Sequence, residues 1–272
     1  RRQRQMCIRD SPEGNRVGEF RTGRVGIPAA SDTSVLQEVK VPDPELWSVD
    51  APSLYRAVST VRIGGRTVDR YETPFGVRFM RFDADQGFFL NGEPLKILGV
   101  CLHHDLGCLG TAINRRALER QLEILKEMGC NAIRTSHNPP APELLELCDR
   151  MGFLVQDEAF DMWRKRKSEY DYSRDFPEWY ERDLTDHILR DRNHPSVFMW
   201  SIGNEVYEQF DDVRADTLTL QQANVLLNVP RTARAAGGTD SAFNINSWIA
   251  VQLARIVKSL DTTRAVTSGN NF

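Results

Sequence analysis

The sequence predicts a mixed chain, an all-β part followed by a parallel α/β part, on three observations. Alternating runs separated by turn residues fill about Arg16 to Arg81, which is a β pattern. From Leu95 onward, short apolar strands alternate with helical patterns, as in a parallel sheet with right-handed crossovers. Each of those strands ends in polar groups, and strand ends are where a (β/α) barrel keeps its reacting side chains. The fold class is therefore α/β: about the first five strands of a (β/α)8 TIM barrel, preceded by part of a β-sandwich.

The elements follow in order. Val35 to Val41 alternates, and so does Leu54 to Ile63. Gly64-Gly65 turns the second run into Arg66 to Glu72, which makes a hairpin. Pro42, Pro44 and Pro52 punctuate the connection before it. Gly76 to Phe79 and Phe88 to Leu90 form a second pair across Asp83 to Gly87. Leu95 to Val100 is a short buried strand. Asn114 caps a helix that runs to Met128, with Leu118, Leu122 and Leu125 on one face and Gly129 as its stop. Asn131 to Arg134 is the next strand, and Pro142 opens a helix with Leu144, Leu145 and Cys148 inward. Phe153 to Gln156 leads to Asp157-Glu158. A helix over about Pro177 to Arg190 precedes the strand that starts at Val197. A helix around Ser247 to Leu260 precedes a fifth strand at Arg264 to Ser268. A complete, doubly wound open sheet is the competing architecture. The first strand-to-helix turn, His103-His104-Asp105-Leu106-Gly107, argues against it, because it is no phosphate-cradling glycine loop.

Composition narrows the function. The chain has 272 residues and a net charge of -3, without the basic excess that nucleic acid binding requires. No run is apolar and long enough to cross a membrane, and no secretory signal opens the chain, so no membrane partner is expected and either a cytoplasmic or a periplasmic location fits. Cys7, Cys101, Cys108, Cys130 and Cys148 lack zinc-site spacing and read as reduced, incidental thiols. Arg1 to Ser11 is basic, and Met6 to Ser11 is similar to the translation of a common sequencing-adapter end. Residues 1–15 are accordingly expected to be a non-native or disordered arm, residues 16–81 the partial sandwich, and residues 82–272 the N-terminal half of the barrel.

The stretch that organises the rest is Val197 to Glu205. An apolar run ends abruptly in Gly203-Asn204-Glu205, as a buried parallel strand does when it surfaces at a barrel mouth. A capping Asn at a helix start is the plain alternative for that end. The other strand ends favour the mouth. They carry His103, His104 and Asp105; then Arg134, Ser136, His137 and Asn138; then Asp157 and Glu158. Such a ring of fixed donors and acceptors suits a sugar, and a carboxyl beside the bridging oxygen suits glycosidic cleavage. Asp157 and Glu158 read equally well as buried partners of Arg134. Trp163 and Trp200 either stack on sugar rings or fill core. Adjacent His103 and His104 alternate sides of an extended chain, so at most one could ligate a metal. His187 reads as a surface residue, and His194-Pro195 as the lead into the strand at Val197.

Four segments carry a resemblance: Leu98 to Asp105, Ile133 to Pro140, Asp157 to Trp163, and Arg192 through Glu205. In this order they resemble glycoside hydrolase family 2, and most of all its β-galactosidases, over about Val35 to Phe272. The resemblance implies an immunoglobulin-like sandwich before the barrel and hydrolysis of terminal non-reducing β-D-galactosyl residues with retention. It implies Glu205 as the catalytic general acid/base, Asn204 as the residue that binds the sugar 2-hydroxyl, and His103, His137, Arg134, Asp157 and Trp163 around the substrate. No cofactor is expected. Met162 and Arg164 stand where some relatives place ligands to a magnesium ion, so no metal is carried over. The family's nucleophile lies on a later strand, so the residues to Phe272 are expected to be inactive alone and the parent active. The exposed apolar faces of a partial barrel lead one to expect aggregation or partner pairing of these residues alone, and a homo-oligomeric parent is a separate expectation. The alternatives are a non-catalytic carbohydrate-binding or vestigial half-barrel and, within the class, β-glucuronidase or β-mannosidase specificity. Leu102 to Asp105 leans away from the glucuronidases.

Overall fold

A computed structural model describes residues 2–9, 16–206 and 245–269. The chain divides into two compact units. The first takes residues up to Lys96 together with Glu146–Phe153 and Asn193–Ser196, and the second takes the remainder.

In the first unit the strands are β1 (Arg2–Arg9), β2 (Gly18–Arg21), β3 (Tyr55–Ile63) and β4 (Arg66–Phe75), in the sheet order β2-β1-β3-β4. The β3–β4 hairpin forms where the Gly-Gly signal places it, because Gly64 and Gly65 both take positive φ, 58° and 84°. Arg2–Arg9 lies in the stretch expected to be a non-native or disordered arm. It pairs antiparallel with both β2 and β3, since an open sheet edge pairs with extended backbone whatever the side chains. Val35 to Val41 forms no strand. Alternation needs a partner and a buried face, and Leu36 is 87% exposed.

The second hairpin joins β5 (Met80–Asp83) to β6 (Gly87–Leu90), which also pairs β7 (Glu93–Pro94). It lies C-terminal to the expected Gly76 to Phe79 run. Asp83 Oδ1 fixes its turn by accepting from the N–H groups of Asp85 and Gln86, each at 3.0 Å. Gly76 is instead a point of close approach, where a Cβ would lie 2.7 Å from Pro195. Trp47, fully buried, anchors this unit and donates from Nε1 to Asp149 O at 2.8 Å. Asp149 also accepts from Ser196 N at 3.1 Å and pairs with His194 Nδ1 at 2.6 Å.

The second unit is a parallel sheet of β8 (Gly99–His103), β9 (Ala132–Ser136), β10 (Leu154–Glu158), β11 (Val197–Asn204) and β12 (Ala265–Gly269). Each strand lies beside its predecessor, in the order β12-β11-β10-β9-β8. A doubly wound sheet would reverse direction part-way, so this order belongs to a partial (β/α) barrel. Helices α1 (Arg115–Glu127), α2 (Pro142–Met151) and α3 (Phe176–Asp191) make the crossovers up to β11, and helix Ile245–Leu260 leads into β12. Asn114 caps α1 by accepting from Ala117 N at 3.0 Å, and Gly129 stops it at φ 86°.

Strands β9 to β11 are buried on both faces, and β11 accordingly opens with the apolar run Val197–Trp200. Leu145, Leu154, Leu184 and Leu253 are at most 1% exposed, and each such burial contributes about 1.5–3 kcal/mol. Among the described residues no helix is long and apolar enough to cross a membrane.

Candidate active site

Two adjacent carboxylates at the end of β10 point to opposite sides of the sheet, as the strand's period of two requires. Glu158 turns towards β9 and β11. Asp157 turns outward to α3. That division settles which of them Arg134 holds.

Arg134, on β9, donates to Glu158 Oε2 from Nε at 3.0 Å and from Nη2 at 2.8 Å. Its Nη2 also donates to Asn204 Oδ1 at 2.7 Å. Glu158 Oε1 pairs with His137 Nδ1 at 2.7 Å, and Ser201 Oγ donates to Oε2 at 2.6 Å. Thr135 Oγ1 accepts the Glu158 backbone N–H at 2.9 Å. Glu158 is fully buried, and these bonds engage both carboxylate oxygens. A buried charge persists only with such partners. Glu158 thereby joins β9, β10 and β11 at their C-terminal ends. The His103 ring meets His137 edge-on with centroids 5.0 Å apart, which brings in β8.

Asn204 is 7% exposed, and Arg134 on one side and Asp161 on the other hold its amide. Asn204 Nδ2 donates to Asp161 Oδ1 at 2.8 Å. Lys167 Nζ donates to the same Asp161 oxygen at 2.7 Å and to Asn204 O at 2.6 Å. With Oδ1 receiving and Nδ2 giving, the network fixes which way the amide faces. Glu205 follows at a positive φ of 43°, and its N–H donates to Gly269 O at 2.5 Å. That left-handed step ends the strand, and Glu205 is half-buried.

The structure therefore brings His103, His137, Arg134 and Asn204 together, with Glu205 next in the chain. Asp157 and Trp163 go elsewhere. Asp157 is fully buried behind the strand, and His187 Nε2 meets its Oδ1 at 2.9 Å and Asp191 Oδ2 at 3.3 Å. Burial raises the Asp157 carboxyl, although the charge on His187 opposes this. Burial also works against a charge on His187, yet the flanking Asp157 and Asp191 prevail and raise its imidazole to about 9. His187 is thus no surface residue; it faces inward from α3. Trp163 is fully buried and donates from Nε1 to Ile202 O at 2.8 Å, so it fills core and supports β11 from behind. Trp200 is also core, donating to Asp261 Oδ2 at 2.8 Å.

Sequence reasoning alone missed Asp161 and Lys167 as parts of the site. Asp161 stands two residues beyond Ala159 in a polar link, and only its position just past a strand end hinted at a role. Asp157, His187 and Asp191 are the one trio of described residues whose donor atoms lie within 4.8 Å of one another, as metal ligation needs. Arg190, however, donates to both oxygens of Asp191, each at 2.6 Å, and with the His187 charge it already neutralises the two carboxylates.

Comparison with known proteins converges on one family. The family model for the glycosyl hydrolases family 2 TIM barrel domain matches residues 83–232, and a second, glycosyl hydrolases family 2, matches residues 10–78. The chain is similar to "Beta-galactosidase BoGH2A" of Bacteroides ovatus, with 56% identity over 261 residues, 95% of this chain and 30% of that protein. It is 44% identical over 180 residues to a "Putative beta-glucuronidase" of Formosa agariphila, covering 66% of this chain and 17% of that one. A solved glycosyl hydrolase family 2 member from Bacteroides cellulosilyticus superposes with a TM-score of 0.81 at 36% identity, over 99% of this chain and 31% of that one. The chain thus spans about 30% of the length of the curated relative of highest quoted identity.

Proposed function

Because the chain belongs to glycosyl hydrolase family 2, we propose that its whole protein is a retaining β-glycosidase that removes terminal β-D-galactosyl residues. The observation that carries the reading is the Arg134 bridge, which holds Glu158 and Asn204 in one network immediately before Glu205. The similarity to a β-galactosidase at 56% identity supports the sugar assigned.

In this reading Glu205 is the general acid/base. It donates a proton to the leaving oxygen, then accepts one from the water that releases the sugar. Asn204, its amide locked between Arg134 and Asp161, holds the sugar 2-hydroxyl beside it. His103 and His137 line the same pole. Retention needs a second carboxylate about 5–5.5 Å from the first. Glu158 does not serve, because Arg134, His137 and Ser201 occupy both its oxygens. In this reading the nucleophile is a second glutamate on a later strand, as the resemblance to the family implies.

The test is Glu205→Gln in the full-length protein, assayed on galactosides with poor and with activated leaving groups. Loss of the acid should slow the poor leaving groups by about 10²–10⁴-fold and spare the activated ones at the first step. Equal rates for the variant and the wild type on both would sink the assignment. Parallel assays on glucuronides and mannosides rank the sugar, and faster turnover of a glucuronide would replace galactose in the proposal.

A further inference from the structure

The polar link after β10 runs from Asp161 to Asp171 and returns to where it began. Phe160 just before it stacks on Tyr172 just after it, with ring centroids 5.6 Å apart. Trp163 pins the link from within, through the bond from Nε1 to Ile202 O. Asp171 shapes the far side. Its Oδ2 accepts the backbone N–H groups of Lys167 at 2.5 Å and Ser168 at 2.8 Å, and its Oδ1 accepts that of Ser173 at 3.0 Å. A carboxylate that gathers backbone donors in this way fixes a turn where no strand or helix supplies partners. From that turn the Lys167 side chain reaches back to the end of β11.

Lys167 Nζ grips one residue twice. It donates to Asn204 O at 2.6 Å and to Asp161 Oδ1 at 2.7 Å, and the same Oδ1 accepts from Asn204 Nδ2 at 2.8 Å. Asn204 is thus held by its main chain directly and by its amide through Asp161. The main-chain bond has a physical reason. The register of β11 on β12 shifts between Ser201 and Asn204, and a carbonyl at such an irregular strand end needs a donor from elsewhere. Glu205 is held separately, by its N–H on Gly269 O at 2.5 Å. Loss of Lys167 therefore falls on Asn204 first. Stability alone does not account for the arrangement. The Lys167 side chain is 16% exposed and that of Asp161 35% exposed, and ion pairs this near to solvent add little, while holding a long lysine still costs entropy.

We propose that Lys167 is a positioning residue for glycoside cleavage, which sets the orientation of Asn204 towards the sugar 2-hydroxyl by holding its carbonyl and, through Asp161, its amide. This role rests on the assignment of Asn204 to the 2-hydroxyl and extends it to the residue that aims the amide. Arg134 on the other side cannot do this alone. Its Nη2 holds the Oδ1 end of the amide, and the Nδ2 end turns freely unless Asp161 is kept in place. The Lys167 charge keeps Asp161 there. Hydrogen bonds to the 2-hydroxyl strengthen as the glycosidic bond breaks, so a misaimed amide is felt in the rate and not only in binding.

The experiment measures kcat/KM of the full-length protein on p-nitrophenyl β-D-galactoside and on its 2-deoxy analogue, for Lys167→Met, Asn204→Ala and the two combined. Lys167→Met should slow the galactoside on the order of 10–10²-fold and leave the 2-deoxy analogue almost unaffected. Asn204→Ala should show the same split, and the combined variant should be no slower than Asn204→Ala alone, because both changes remove one interaction. Lys167→Arg keeps the charge but not the compact ammonium, and should give a smaller loss with the same split. It serves as the measured variant where Lys167→Met melts below the assay temperature. A general structural defect would slow both substrates alike. If the lysine variants slow both substrates alike, or neither, while Asn204→Ala keeps the split, Lys167 has no positioning role and the glycosidase reading stands. If Asn204→Ala itself shows no split, the 2-hydroxyl assignment falls and the role of Lys167 falls with it.

Discussion

Arg134 Nη2 lies 2.8 Å from Glu158 Oε2 and 2.7 Å from Asn204 Oδ1, so one nitrogen ties the ends of three adjacent strands. Glu158 is fully buried, whereas Arg134 keeps 20% of its side chain exposed. Removing the arginine strands a buried carboxylate. Arg134→Met should therefore destabilise the chain by about 3–5 kcal/mol, measured by urea unfolding. Arg134→Lys keeps the charge but not the planar fork, and cannot reproduce both bonds. An intermediate loss is expected of it. Equal stability of Arg134→Met and wild type would show that the bridge contributes nothing.

Two glycines at the same mouth should respond differently to alanine. A Cβ on Gly269 would collide with the Arg134 guanidinium. The tip of an arginine would usually swing aside cheaply, but this one is held by Glu158 and Asn204. A Cβ on Gly203 would sit 3.0 Å from Trp163 Nε1, a tight contact with a fully buried ring. Gly269→Ala should thus act on the site, loosening Asn204 and raising KM in the full-length protein. Gly203→Ala should act on stability by about 1–3 kcal/mol through overpacking. Kinetics and melting of the two variants, side by side, check the contrast.

The His187 ion network predicts a stability that falls in alkali. The folded-state imidazole, at about 9, lies above its ordinary 6.5. Its contribution is thus complete below about pH 6.5 and is lost as pH rises through about 9. A shift of this size corresponds to a loss on the order of 3 kcal/mol between these limits. Thermal melting at pH 6.5 and at pH 9.5 should separate accordingly, and His187→Gln should remove most of the difference.

The strand-helix alternation was legible because short apolar stretches such as Leu154-Val155 and Val197 to Trp200 open buried strands and helices carry their own start and stop signals. Asn114 and Gly129 mark α1 from the sequence alone, and the structure uses both. That Arg134, His137 and Asn204 come together was legible because they fall at strand ends. What one sequence does not carry is the side of the sheet a polar residue faces. Asp157 and Glu158 look interchangeable as letters, and only the pleat sends one to Arg134 and the other to His187. His187 looked exposed among its charged neighbours, because its partners are 30 residues upstream in β10 and one turn downstream at Asp191. Val35 to Val41 shows the converse, a strand-like pattern with no edge to pair with.

Trp163 separates a packing role from a binding role most directly. A tryptophan two residues past Asp161 invites the idea of a platform for a sugar ring. The indole is instead fully buried, and its N–H goes to Ile202 O, behind the strand that ends in Asn204 and Glu205. Trp163→Phe keeps an aromatic filler but leaves the Ile202 carbonyl without its donor and opens a small void. A cost of about 1–3 kcal/mol follows. A packing role predicts a lower melting temperature, with KM for a galactoside close to wild type while the protein stays folded. A stacking role predicts the reverse, because loss of the larger ring would weaken the sugar directly and leave melting almost unchanged. Steady-state kinetics well below the melting transition, together with calorimetric melting of the same preparation, distinguish the two.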